Sequence, residues 1–448
     1  MVKNCVFFKF LGVHQQRIVL YLLIGYMWLF IHRPFEVWPW LGELRIERVY
    51  MLLTLVYWSM QPKAWTTNRL NIGVGLLGSS ILMSALLSPY QGLDSQSVQD
   101  WLKLLVFYIL VLTSVRRTKE LMVVVVAFVV IMGLYELHSL REYMNGRGVY
   151  RMDIWRMIAI DSTLSDPNSF AASVLYGLPL LLPVATLATT RRLKIAMWAL
   201  LVLGLTCVAL TGSRTAFAAI VVFGAIFGMY SKYRWRLVAA VIVVAPLLWA
   251  NLSSELQNRY LSLIDPSRGP ANAQESADQR EKFFSIALDI WKENPLFGVG
   301  PRGFAYASGT GMQSHSLYAE TISELGLLGI VAIVTLVAGF YRNYRDAYQL
   351  YKAAEPTVKV MFCYRTVLAT GLAVLLLLFL GLGGHNLFRF TWLWYAAFSS
   401  LALRFMREAV AEQVGGEVTP ATGSHSTSAV PSVDSALLTR LSPTAAGI

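Results

Sequence analysis

Charge is scarce in this sequence: Asp, Glu, Lys and Arg make up 14% of its 448 residues, against roughly 25% in soluble domains. Cysteine is scarcer. Cys5, Cys207 and Cys363 lie near the N-terminus or inside apolar runs without CxxC spacing, which offers no case for a disulfide framework or a thiolate metal site. No His, Cys, Asp or Glu group has metal-ligand spacing, and no GxSxG or DxD-like pair appears in the long hydrophilic stretches. The N-terminus MVKNCVFFKFLGVHQQR lacks a small-residue cleavage site, so the first apolar run is expected to be retained rather than removed as a signal peptide.

Apolar residues fill the space that charge leaves. The chain is 56% hydrophobic with a mean hydropathy of +0.53, and apolar runs of about 15 to 25 residues recur, the length needed to cross a hydrocarbon core of about 30 Å. A soluble all-α protein does not need so many helices that are apolar all round. The expectation is an all-α polytopic membrane protein. Twelve spans are read at 18–31, 49–60, 70–87, 98–115, 121–140, 170–189, 195–210, 215–230, 237–249, 316–341, 360–382 and 388–405.

Lys and Arg orient these spans. One set of connections carries Lys3, Lys9 and Arg17; Lys63 and Arg69; Arg116, Arg117 and Lys119; Arg191, Arg192 and Lys194; Lys232, Arg234 and Arg236; and Arg342, Arg345, Lys352 and Lys359. The alternate set is balanced or acidic, as where Glu36, Glu43 and Glu47 offset Arg33, Arg45 and Arg48. By the positive-inside rule both termini are expected in the cytoplasm. The net charge of +12 is then topological, and nucleic acid is not an expected partner.

The long hydrophilic excursion is residues 251–329, between the ninth and tenth spans and on the outer face in this topology. Its expected organisation is a helix over 277–292 that stops before Asn294-Pro295, then LFGVGPRGF, a turn-rich segment suited to docking on the membrane domain. Two other outer segments stand out: the polar connection 141–169, ending in DSTLSDPNSFA, and the tight turn TGSR at 211–214. From residue 415 the chain is rich in Gly, Ser, Thr, Pro and Ala without periodicity, the composition of a disordered tail. The resulting division is helices 1–9 over 1–250, the outer loop over 251–315, helices 10–12 over 316–407 and a cytoplasmic tail over 408–448.

Arg214 sits at the outer end of a span, where a charge either snorkels to the headgroups or faces a polar cavity. Arg280, Lys282 and Arg302 fall on the same side, and guanidinium groups suit bidentate binding of phosphate oxygens. His315 stands where the loop meets the next span. Interface histidines are mostly structural, yet an imidazole accepts a proton near neutral pH and suits a base acting on a sugar hydroxyl. Glu320 and Glu324 follow on the same helix, either orienting an acceptor or simply favouring the helix N-terminus; the latter needs fewer assumptions. Asp166, Asn168 and His385, in GGHNLF, are further candidates for substrate contact.

Taken together, ALDIWKENPLFGVGPRGF followed by HSLYAETISELGLLG closely resembles the signature of the O-antigen ligase and polymerase superfamily, with TGSR and DPNSFA similar to its upstream landmarks. The resemblance runs over about 161–329. It implies a GT-C-like membrane glycosyltransferase of twelve spans that moves a glycan from undecaprenyl diphosphate to an acceptor hydroxyl, without cofactor or metal. By resemblance Arg214 and Arg280 hold the diphosphate, with Arg259, Arg268 or Arg302 as alternatives for the second position, and His315 is the base. A ligase acting on the lipid A core, a polymerase and a protein O-oligosaccharyltransferase all fit this pattern. A transporter or flippase fits less well, because the hydrophilic mass lies between spans nine and ten rather than between six and seven.

Overall fold

The computed structural model describes residues 18–90, 95–151, 154–230, 249–263 and 272–416, together with 235, 242, 246 and 265. Among these, helix dominates, and β1 (Val149–Arg151) and β2 (Ile154–Arg156) form one two-stranded ribbon. In chain order the helices are α1 (Ile18–His32), α2 (Pro34–Val37), α3 (Pro39–Glu43), α4 (Ile46–Ser59), α5 (Arg69–Leu87), α6 (Ser95–Ser114), α7 (Thr118–Met144), α8 (Pro167–Gly177), α9 (Leu181–Leu187), α10 (Arg191–Thr211), α11 (Arg214–Tyr230), α12 (Ser254–Leu261), α13 (Asn272–Glu293), α14 (Phe304–Ala307), α15 (Leu317–Ala353), α16 (Val358–Leu380) and α17 (Thr391–Gly416).

Seven described segments are long and apolar enough to cross a membrane: α5, α6, α7, the α8–α9 pair, α10, α15 and α16. The chain is thus an all-α, multi-pass membrane protein. Of the other expected spans, α1 is a shorter apolar helix and α11 is apolar over Arg214–Ile226, α4 has 14 residues, and 237–249 lies almost wholly outside the described residues. Lys3, Lys9, Arg17, Lys232, Arg234, Arg236 and Arg268 also lie outside them.

The twelfth expected span is α17, longer than its apolar stretch because its environment is protein. Trp392, Trp394, Tyr395, Phe398 and Leu401 are fully buried, and α17 packs against α5, α6, α7, α15 and α16. A helix wrapped by neighbours can carry Arg404, Arg407 and Glu408 in its later turns, where Arg404 pairs with Glu408 and Arg407 with Asp346. It continues to Gly416, so the expected boundary at 408 falls inside a helix; the tail beyond 416 is outside the described residues.

Two expected helices are interrupted. The 170–189 span divides into α8, a 3-10 turn at Leu178–Leu180 and α9, because Pro179 and Pro183 cannot donate the hydrogen bonds of a continuous α-helix. The 316–341 span is the first part of α15, which runs to Ala353 but breaks at Gly326 (φ 62°, ψ −154°).

The break receives the loop. Val299 and Gly300 donate backbone hydrogen bonds to the carbonyls of Ser323 and Glu324, and Leu327 and Leu328 donate to those of Pro295 and Leu296. LFGVGPRGF therefore docks on a membrane helix as its composition suggests, through strand-like pairing across the kink. Backbone released from helical pairing near a membrane must find such partners. α13 spans 22 residues, longer than the expected 277–292. Its Phe283, Ala287 and Ile290 join Val299, Phe304 and Ala319 in a small separate core that ties loop to α15.

Candidate functional site

The TGSR turn is built by two buried arginines from elsewhere in the chain. Arg156 of β2 donates Nε–H to the Thr211 carbonyl (2.6 Å) and Arg259 of α12 donates Nε–H to the Gly212 carbonyl (2.6 Å). These carbonyls end α10, where the helix lacks intrahelical donors and carries the negative end of its dipole. Met157 N–H and the Tyr260 hydroxyl cap the carbonyls of Leu210 and Ala209. Gly212 (φ 62°) makes the left-handed turn, and Arg214 opens α11 within 3.5 Å of the Ser262 hydroxyl.

The result is a concentration of like charge. Arg156, Arg214 and Arg259 feel one another, and Arg151 adds to the field at Arg156 and Arg259. Burial pushes the Arg259 guanidinium down to about 9, with Arg156 and Arg214 adding to the shift. Arg156 is held at about 10 by burial, partly offset by Asp166. Arg280, reaching in from α13, is lowered by burial and then by Arg214. Guanidinium groups drawn together and partly dehydrated form a site for a multiply charged anion.

Arg280 connects this cluster to the histidines. Its guanidinium lies against Gly383, where an added Cβ would stand 3.1 Å from Cζ. Two residues on, His385 packs its ring against that of His315, with centroids 4.2 Å apart. The Nδ1 atom of His385 is hydrogen-bonded to Oε1 of Glu320, whose side chain is buried. His315 has a left-handed backbone (φ 52°). Although the residue is exposed, partial desolvation, reinforced by His385, lowers its imidazole from the usual range, against the opposing pull of Asp166 and Glu320.

A buried acidic pair lies below. Glu320 and Glu324 sit one turn apart, and both are fully buried. The backbone N–H of Arg302 donates to Glu324 Oε2 (2.9 Å), and its guanidinium is 4.0 Å from Glu320 Oε1 and 5.6 Å from the Phe388 ring centre. Glu320 lies in the first turn of α15, as the plainer reading has it, and Glu324 one turn further on. Arg302 is engaged with acids rather than with the arginine cluster.

The structure thus brings Arg214 and Arg280 within mutual electrostatic reach and sets His385 beside His315. Asp166 and Asn168 act locally: Asp166 caps α8 by accepting from Ser169 N–H (2.9 Å) and faces Arg151 (3.5 Å), while Asn168 accepts from Arg156 (2.9 Å). Reasoning from sequence missed Arg151 and Arg156. The signal available was the alternation in Ile154-Trp155-Arg156, buried, exposed, buried, with an arginine where a core residue belongs. Arg389, which donates to the His385 carbonyl (3.2 Å), carried no comparable signal. Among the described residues no three His, Cys, Asp or Glu side chains are placed to share a metal ion.

Arg156 and Arg280 are expected to fail differently when shortened. Arg156→Ala leaves the Thr211 carbonyl at the end of α10 without its charged donor, and its cost is expected in stability, about 2 kcal/mol. Thermal unfolding in detergent checks this; an unchanged midpoint would remove the bracing role.

Fold and site together describe a multi-pass membrane protein with clustered arginines and a histidine pair where a long hydrophilic loop meets the helices. A family model described as O-antigen ligase matches residues 199–334, and this supports the O-antigen ligase and polymerase superfamily for the chain. The matched stretch holds Arg214, Arg259, Arg280, Arg302, His315, Glu320 and Glu324, and leaves Arg156, Asp166, Asn168 and His385 outside. Comparison with curated proteins gave no match.

Proposed function

We propose that this protein is a glycosyltransferase that moves a glycan from undecaprenyl diphosphate to an acceptor hydroxyl on the lipid A core, at the periplasmic face of the inner membrane. The observation that carries the reading is the pair of partly dehydrated guanidinium groups of Arg214 and Arg280, backed by the buried Arg156 and Arg259, with Asp166 as a counter-charge to Arg156. The alternation of Lys and Arg supports the orientation, with both termini in the cytoplasm and the 251–315 loop outside. The bilayer and the lipid-linked donor are then its working partners, and no cofactor takes part.

The acceptor oxygen attacks the anomeric carbon, the bond from that carbon to the diphosphate oxygen breaks with inversion, and the diphosphate leaves with the electron pair. Arg214 and Arg280 stabilise the negative charge that grows on the leaving group, an effect strengthened by exclusion of water. The acceptor proton passes to neutral His315. Glu320 fixes the neighbouring His385 by its hydrogen bond to Nδ1, as a carboxylate orients the imidazole in a catalytic triad.

Neutral His315 is the active form, so activity is expected to hold at neutral pH and to fall on the acid side as His315 takes up a proton, below the ordinary imidazole range. The pH profile of kcat/KM for purified protein checks this. An acid limb unchanged in His315→Gln would rule out His315 as the base.

The overall reading is tested by replacing Arg214 and His315 singly with alanine in cells lacking the native copy. Gels of lipopolysaccharide and lipid-linked glycan should show long chains stranded on undecaprenyl diphosphate. Single repeats on the lipid A core would indicate a polymerase instead. Wild-type patterns at normal expression in both mutants would sink the catalytic assignment.

A further inference from the structure

A groove of about 500 Å³ beside the arginine cluster has no part in the chemistry above. Tyr143, Tyr150 and Trp155 supply aromatic surface to it, and Asn251, Ser253 and Glu255 supply polar groups. Tyr150 and Trp155 are direct partners across the ribbon, so their rings share one face. They are 66% and 42% exposed, which leaves ring surface available. The indole of Trp155 is seated on the backbone of Gly148, where an added Cβ would come within 2.6 Å of it. Backbone contact therefore seats the Trp155 half of the platform.

The ribbon also fixes the groove relative to the arginines. Arg156, next to Trp155, is tied to the Thr211 carbonyl and to Asn168. Leu210 and Leu256 line the groove; the first adjoins the TGSR turn, and the second lies one helical turn before Arg259. Leu256 also packs against Gly212, so the groove borders the turn that carries Arg214.

The polar groups select among occupants. Hydrogen bonds from Ser253 and Ser254 hold the Glu255 carboxyl below its usual range, so it is an ionised acceptor and repels phosphate. Flat aromatic surface beside neutral and anionic hydrogen-bonding groups suits a polyhydroxylated ring, with apolar C–H faces and hydroxyl edges, and a volume of this order is typical of ligand sites. We propose that the groove is a carbohydrate subsite in which Trp155 and Tyr150 stack a sugar of the donor glycan while Glu255 accepts from its hydroxyls.

This rests on the glycan-transfer reading, and the test separates the two. Purified protein in lipid nanodiscs is assayed with undecaprenyl diphosphate-linked glycan as donor and with sugar-free undecaprenyl diphosphate as competitor. Trp155→Ala is expected to raise the KM of the donor about tenfold, the loss of roughly one stacked ring. The inhibition constant of the sugar-free lipid should be unchanged, and Trp155→Phe should restore the donor KM to within about twofold of wild type. Both constants rising together would mark a structural or membrane-anchoring role, and neither moving would leave the groove without a ligand; either result overturns the proposal. Tyr150→Ala, which removes an exposed side chain, repeats the test if Trp155→Ala does not fold. Calorimetry with the free repeat oligosaccharide needs no turnover: binding by wild type that Trp155→Ala loses upholds the subsite even if no transfer is found, and no binding by wild type refutes it.

Discussion

Replacing Arg280 with alanine is expected to lower the rate of glycan transfer by about two to three orders of magnitude, the usual cost of removing one preorganised group from a developing anion. Arg280 reaches the cluster from the loop, feels Arg214 and rests on Gly383, two residues from His385. The interaction grows as the leaving group gains charge, so the loss should fall mainly in kcat rather than KM. Stability should hold or improve, because the substitution removes a desolvated charge that repels Arg214. Arg280→Lys should recover only part of the rate, since an ammonium keeps the charge but not the bidentate fork. The check is a single-turnover transfer assay at matched protein levels, with thermal unfolding as control. A rate within threefold of wild type would move the second diphosphate position elsewhere, to Arg259 first.

The second large effect is expected at the helix break. Gly326 has φ 62° and ψ −154°, a region open essentially to glycine alone. A Cβ there would meet the Gly298 nitrogen and the Leu296 carbonyl carbon at 2.7 Å. Gly326→Ala combines backbone strain with overlap of two paired backbones, and a loss of about 3 kcal/mol or more is expected. Gly311 (φ 67°) provides the contrast, because nothing lies within 4 Å of an added Cβ; Gly311→Ala should cost about 1 kcal/mol, from strain alone. Thermal unfolding in detergent compares them. Equal midpoints would show that the loop can move away from α15.

The consequence of the break extends to the site. The pairing of 295–300 with α15 sets Arg302, whose backbone N–H binds Glu324 and whose guanidinium approaches Glu320. Glu320 in turn holds His385 against His315. Loosening Gly326 should therefore reduce transfer as well as stability, whereas Arg156→Ala should act through the TGSR turn.

The sequence by itself determined the class of the protein. Apolar run lengths and scarce charge are local properties, and they were enough to identify a helical membrane protein and its long hydrophilic loop. His315, Arg214 and Arg280 were singled out by the resemblance of the stretches around them to the superfamily; position alone left Arg214 between snorkelling and a polar cavity, and Arg280 lies in the charged run ADQREK. The helix break was not legible. SELGLLG continues the hydropathy of a helix, and the reason for interruption lies in the backbone of 295–300, which pairs with it only after folding. His385 looked unspecific because its partners, Glu320 and His315, come from another helix and another loop. Arg156 went unread and Arg259 stood only as an alternative diphosphate ligand, because the carbonyls they cap belong to α10. Only the tertiary structure decided these points, since burial, charge repulsion and hydrogen bonding between distant segments depend on which groups meet, and hydropathy along a chain carries no record of that.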